Sequence, residues 1–382
     1  MKRHPIAVSA VAFFLLATGC QKPKEEIAAV PEPKSEYKKR NNTQTLTLEG
    51  VGEQNVHGGW QGKSAPYLHT GGFSVEADFI YWRADEDGLD YVLTNNGSHT
   101  VFHKPGVNWD PGFKVGVGYT WGNQDFWDLF VRWTYLNTHQ DGNKKTSLGD
   151  ASNVLTPVWS PAVTGQEALS ASATWQMRYN TWDLEMGRDY FISKTLALRP
   201  HMGLRGASIR QHYDTKYLGV INLVSTPVPI FKTGMKAENS FWGIGARAGA
   251  QLNWHFTRDW SVIGSVSGSL LYGHFDLNQK INGVLGVVTP TTFHFKDEFS
   301  KVATNLEAGL GFEWETFFCD DDYRVAISLS YEFSEWFSQN RMKEFELFNN
   351  VINGQLTGTT WVGDKKGDLG LQGGTLRVRF DF

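Results

Sequence analysis

The strongest constraint in this 382-residue chain is a two-residue period that begins near residue 71 and runs to the last residue. Phe73, Val75, Ala77, Phe79 and Tyr81 alternate with Ser74, Glu76, Asp78, Ile80 and Trp82. The same alternation recurs over 113–121, 127–135, 182–186, 196–204, 242–256, 260–270, 302–314, 323–333 and 376–382. A period of two places alternate side chains on opposite faces of a strand, so the pattern predicts ten strands and an all-β fold.

Three features separate a membrane barrel from a soluble sandwich. The segments reach the 9–11 residues that cross a bilayer as a tilted strand. Their apolar faces end in Trp, Tyr and Phe, as in an interfacial girdle. The opposite face carries charges and glycines, which suit a wet lumen better than the core between two sheets. The expected fold is a transmembrane antiparallel up-and-down β-barrel of about ten strands over 71–382. Connections near 122–125, 192–194, 257–259 and 319–322 are short, whereas those at 84–108, 138–168, 215–236, 278–297 and 338–367 are long. Short periplasmic turns and long extracellular loops alternate in this way, with both termini periplasmic. The apolar, Gly- or Pro-punctuated parts of the later loops read as hairpins that lengthen strands above the membrane. If two of them join the ring, the count becomes 12 or more. Pro200 cannot donate to a ladder and marks a bulge or a strand start.

The N-terminus is an export address. Lys2 and Arg3 precede an apolar run over 6–17 and then Thr18-Gly19-Cys20, the layout of a signal peptide over 1–19. Leu16 to Cys20 also fits a lipobox; an ordinary cut and lipidation at Cys20 are both compatible with the sequence. Residues 20–70 are charged, Pro-containing and poor in large apolar side chains, a composition that does not offset ordering entropy; they are expected to be a flexible periplasmic linker.

Chemical motifs are scarce. The sequence holds no P-loop, HExxH, CxxC or GxSxG signature, so no catalytic residue, metal site or cofactor is expected. In Asp85 to Asp90 the acids are spaced like a calcium loop, but Gly88 comes too early for an EF-hand. A net charge of −4 argues against nucleic acid as a partner. The inward acids are Glu76, Asp78, Asp128, Asp183, Glu185, Glu307, Glu313, Glu332 and Asp381. The inward bases are Lys114, Arg132, Arg199, Arg205, Arg247, Lys301, Arg324, Arg377 and Arg379, and the uncounted His201 also points inward. Nine acids face nine bases, so a pore lined by them is weakly ion-selective. The same charges could interlock and fill a narrow barrel.

Several segments resemble the Legionella-type major outer membrane protein family and the MOMP-like porins of chlamydia-related bacteria. They are FSVEADFIYWRADEDGLDYV over 73–92, DPGFKVGVGY over 110–119, and the stretch 179–213 with DLEMGR at 183–188 and LRPHMGLR at 198–205. The resemblance implies an outer-membrane barrel with porin activity and exposed loops, and supplies no catalytic residues. Expected partners are outer-membrane lipid, small hydrophilic solutes, the barrel-insertion machinery through Val378, Phe380 and Phe382, and host or envelope surfaces through the loops. A homotrimer is compatible with the sequence. The competing class is a closed structural or adhesive surface barrel.

Overall fold

The computed structural model describes residues 72–121, 127–147, 154–159, 166–222, 231–285, 289–318, 323–352 and 355–382. The signal peptide, the linker, Cys20 and Cys319 lie outside the described residues. Gly62–Thr316 with Arg324–Phe382 form one compact unit. Of the other unit, Met1–Gln61 with Phe317–Tyr323, only Phe317, Phe318 and Tyr323 are described.

Ten antiparallel strands close into a ring: β1 Gly72–Glu86, β2 Trp109–Thr120, β3 Trp127–Lys145, β4 Ser170–Arg188, β5 Leu196–Asn222, β6 Phe231–His255, β7 Trp260–Leu285, β8 Thr289–Phe318, β9 Tyr323–Asn340 and β10 Gly367–Asp381. Each strand pairs with its sequence neighbours, and β1 pairs with β10 from Ser74↔Asp381 to Glu86↔Leu369. The seam is finished by reciprocal Phe73–Phe382 backbone hydrogen bonds of 2.7 and 2.9 Å. Closure leaves no unpaired sheet edge, which is what lets a β-structure sit in lipid.

The count of 12 or more does not hold. The later loop segments lengthen β5 to β8 to 27, 25, 26 and 30 residues rather than adding strands to the ring. Lys343–Ile352 and Gln355–Asp364 form a separate hairpin, and Val92–Asn95, Thr100–His103 and Val154–Pro157 a separate three-stranded sheet. Pro200 sits within β5 where its ladder to β4 is interrupted. Pairing with β4 stops at His201↔Gly187, and the next partners are Leu198 and Tyr190.

Outward side chains form an exposed apolar band. Phe73, Trp121, Trp254, Trp260 and Phe312 mark one rim, and Tyr81, Trp109, Trp133, Trp182, Trp242, Tyr272 and Tyr331 the other. Val378, Phe380 and Phe382 share this face, with Phe380 and Phe382 stacked at 5.4 Å.

Inside, the ring is tight at Gly116 and Gly118 of β2. The Phe130 ring from β3 lies where their Cβ atoms would be, 2.4–2.9 Å away, and carries Arg132 at 5.1 Å and Arg379 at 6.0 Å on its faces. Gly118→Val therefore overpacks this site by about 1–3 kcal/mol. It should lower the yield of heat-modifiable, folded protein in detergent, and Phe130→Ala in the same chain should restore part of it.

Candidate functional site: a two-zone lumen

The inward faces divide the lumen by height. Near the Phe73–Phe382 seam they are polar, and towards the long loops they are apolar.

In the polar zone, Arg205 of β5 is the hub. It is fully buried, and each of its five N–H donors is used. Nε and Nη2 donate to the two oxygens of Asp183 at 2.6 and 2.8 Å, Nη1 and Nη2 donate to Glu307 at 2.6 and 3.1 Å, and Nη1 also donates to Asn305 at 2.6 Å. Glu307 of β8 also accepts from Arg247 Nη1 at 2.5 Å and from Ser267 at 3.1 Å. Arg247 Nε donates to Glu185 at 3.0 Å. Since β5 and β8 are not neighbours in the ring, the Arg205–Glu307 pair crosses the lumen.

A second group ties the other side. Arg132 donates to Glu76 at 2.5 Å, and Arg377 makes a forked contact with Asp78 at 3.0–3.1 Å. Lys114 of β2 pairs with Glu332 of β9 across β1 and β10. At the seam end, Arg324 binds Glu315 at 2.7 Å, Glu313 at 2.8 Å and Asp381 at 2.9 Å. Arg379 donates to Asp381 at 2.7 Å, and Arg199 pairs with Asp128. Between these groups lies a cavity of about 230 Å³, lined by Glu76, Arg132, Glu185, Arg199, His201 and Arg247 among others. Both His201 ring nitrogens are buried without a hydrogen-bond partner among the described residues and line this cavity, a polar space large enough to admit water.

Of the lumen residues expected from the sequence, Glu76, Lys114, Arg132, Asp183, Glu185, Arg199, His201, Arg205, Arg247, Glu307, Glu313, Arg324, Glu332, Arg377 and Arg379 all line this cavity. Asp78 is buried against Arg377. Lys301 is the correction. It shares the inward parity, but it stands opposite Gly273, two residues past Ala303 in the apolar zone, and its side chain is exposed. Burying an ammonium group among apolar side chains is costly, so its head reaches the surface instead. Sequence reasoning did not count Asp189, Gln251, Asn253 or Glu315, which line the cavity. Glu315 has the parity of Glu313 and was legible; Asp189 follows the end of β4, where period two no longer guides.

The apolar zone was missed. Ile80, Trp82, Leu136, Trp175, Met177, Ile209, Phe241, Leu271, Phe275, Trp336 and Leu371 form one buried cluster with Leu89, Tyr91, Leu155, Trp159 and Met342 from the loops. The loops are tied in by hydrogen bonds. Tyr213 donates to the Leu89 carbonyl and Tyr217 to the Tyr91 carbonyl, both at 2.6 Å. Trp159 Nε1 donates to the Asp90 carbonyl at 2.7 Å, and Asn340 to the Asp87 carbonyl at 2.7 Å. Asp85 and Asp87, the acids of the calcium-like stretch, face Lys104 at 3.8 and 2.8 Å.

The family model described as Legionella pneumophila major outer membrane protein precursor matches residues 66–382. The chain belongs to this family. It is thus an outer-membrane protein, and the exposed apolar band is its lipid-facing surface. No curated protein sequence matches the chain. Among solved structures, it is similar to the outer membrane protease OmpT from Escherichia coli at 8% identity, over 81% of this chain and 96% of that one, with a TM-score of 0.35. It is similar to the Ralstonia pickettii toluene transporter TbuX at 9% identity, over 82% and 89%, with a TM-score of 0.28. It is also similar to the attachment invasion locus protein Ail of Yersinia pestis at 11% identity, over 61% and 99%, with a TM-score of 0.20.

Arg205→Gln leaves Asp183 and Glu307 short of a partner in a buried site, a loss of about 3–5 kcal/mol. Its urea midpoint should fall well below that of the parent. Arg205→Gln with Asp183→Asn should recover part of the difference, which a double-mutant cycle measures.

Proposed function

We propose that this barrel is a porin for small hydrophilic solutes whose pathway is shut in the described state by the inward-folded loops. The observation that carries the reading is the division of the lumen: a wet, charge-lined chamber through the membrane-level half, capped by an apolar layer built partly from loops. Interlocked acids and bases give the chamber little net field, so ions of either sign pass with similar ease once the cap yields. Both termini are periplasmic in this reading, the protein has no enzymatic activity, and Val378, Phe380 and Phe382 serve insertion. The apolar layer also favours a second reading, in which the barrel never conducts and serves as a closed surface protein.

Planar-bilayer recording of folded full-length protein separates the two. The porin reading expects rare, small steps with a reversal potential near zero in a salt gradient. Tyr213→Phe with Tyr217→Phe removes the two buried hydrogen bonds that these hydroxyls donate, worth about 1 kcal/mol each, and the one Tyr217 accepts from the Trp159 backbone N–H at 3.2 Å, so the open fraction should rise by at least about thirty-fold. Silence from both folded proteins would establish the closed barrel.

A pH dependence follows from Glu86. The outward apolar residues of β1 end at Tyr81 and give way to Arg83 and Asp85, so Glu86 stands above the lipid band. It is buried beside Gln211, which donates to it at 3.2 Å. Burial first, then the charges of Asp87, Asp368 and Asp85, push its carboxyl well above the usual carboxylate range. A raised carboxyl favours the protonated, closed cap: its contribution is complete below the unfolded-state value near 4.5 and is lost as pH rises through the folded-state value. Channel activity should therefore increase with pH, and Glu86→Gln should flatten the profile.

A further inference from the structure

The extracellular face of the barrel wall carries a pair of arginines that the lumen does not explain. Arg178 of β4 and Arg210 of β5 are directly opposed in register and exposed on the outward face. Like charges set opposite one another across a ladder repel. Their other lateral neighbours are Asn137 and Ser240, both uncharged. The carboxylates nearest along the strands face other groups: Asp214 lies 3.5 Å from Lys216 and 3.9 Å from Lys236, and Glu238 lies 3.6 Å from His212, an ion pair only when that imidazole is protonated. Among the described residues, neither arginine has an ion-pair partner.

Their height on the wall matters. One outward step towards the membrane lie Asn180 and Ser208, and beside these Tyr135 and Trp242. One further step down are Trp133 and Trp182, with Trp133 donating to Asn180 at 3.3 Å. The arginines thus sit immediately above the aromatic girdle, at the depth of lipid headgroups. Beneath them Gly206 lies opposite Trp182, and a Cβ there would come no closer than 3.7 Å to the indole. The two tryptophans Trp182 and Trp242 therefore flank a shallow notch floored by Gly206 and Ser208.

We propose that Arg178 and Arg210 bind the phosphate of a phosphorylated outer-leaflet lipid, whose apolar part lies along the notch between Trp182 and Trp242. Two guanidinium forks match the geometry and charge of one phosphate group, and a headgroup anchored in lipid arrives at this height already oriented. The anion relieves the repulsion within the pair, so lipid binding also stabilises the β4–β5 ladder. The inference rests on the outer-membrane location and on the proposed orientation with periplasmic termini, and is independent of whether the lumen conducts.

The test uses folded full-length protein in detergent micelles and native mass spectrometry, with bis-phosphorylated lipid A, its dephosphorylated form and inorganic phosphate as probes. The phosphorylated lipid should be retained. Arg178→Gln with Arg210→Gln should weaken its binding about thirty-fold at unchanged heat-modifiable mobility. Arg178→Lys with Arg210→Lys, which keeps the charge and loses the forks, should weaken it several-fold less. Lys216→Gln with Lys236→Gln, higher on the same wall, should change it by no more than about two-fold. Equal retention of the dephosphorylated lipid, equally tight binding of inorganic phosphate, unchanged retention by the Arg178→Gln, Arg210→Gln protein, or an equal loss in the Lys216→Gln, Lys236→Gln protein would each overturn the proposal.

Discussion

Closure of β1 on β10 is the constraint from which the rest of the structure follows. In lipid no backbone donor can be left to water, so the ring must be complete, and a complete ring of ten strands encloses a narrow space. Whatever faces inward must then fill that space or line it. The glycines of β2 under Phe130 fill it with one ring where two side chains would collide. The arginines fill it with charge, and Arg132, Arg205 and Arg247 reach strands that are not their own neighbours.

The polar zone works because its members satisfy one another. Arg205 uses every donor it has, and Glu307 is shared between Arg205, Arg247 and Ser267. Buried charges are costly when a partner is missing and tolerable when the whole set is connected. The sparser region around His201 and Arg199 is where the cavity lies. Height on the strand therefore decides between packing and hydration within the same alternating pattern.

The ring, its strand number and the inward set from Glu76 to Arg379 were legible because period two is local and each strand repeats it. The apolar cap was less legible for a physical reason. Ile80 and Trp82 have the inward parity of Glu76 and Asp78, yet in an isolated strand an apolar residue on either face looks like noise in the alternation. Its meaning depends on Trp175, Phe241 and Trp336, which arrive from strands far along the chain, and on loops that no periodicity governs. Lys301 misled for the converse reason: parity assigned its face, but the character of the zone at that height assigned its environment. The arginine pair escaped notice because cross-strand register, not sequence spacing, brings Arg178 beside Arg210.

The origin of the cap has a consequence for biogenesis. Its side chains come from nine strands, with β2 the exception, and from three loops. Contacts so distant in sequence form after the chain that joins them is in place. The charged ring obeys the same rule, since Lys114–Glu332 and Arg377–Asp78 join the two ends of the chain, so ring and lid are both completed only when β9 and β10 are in place.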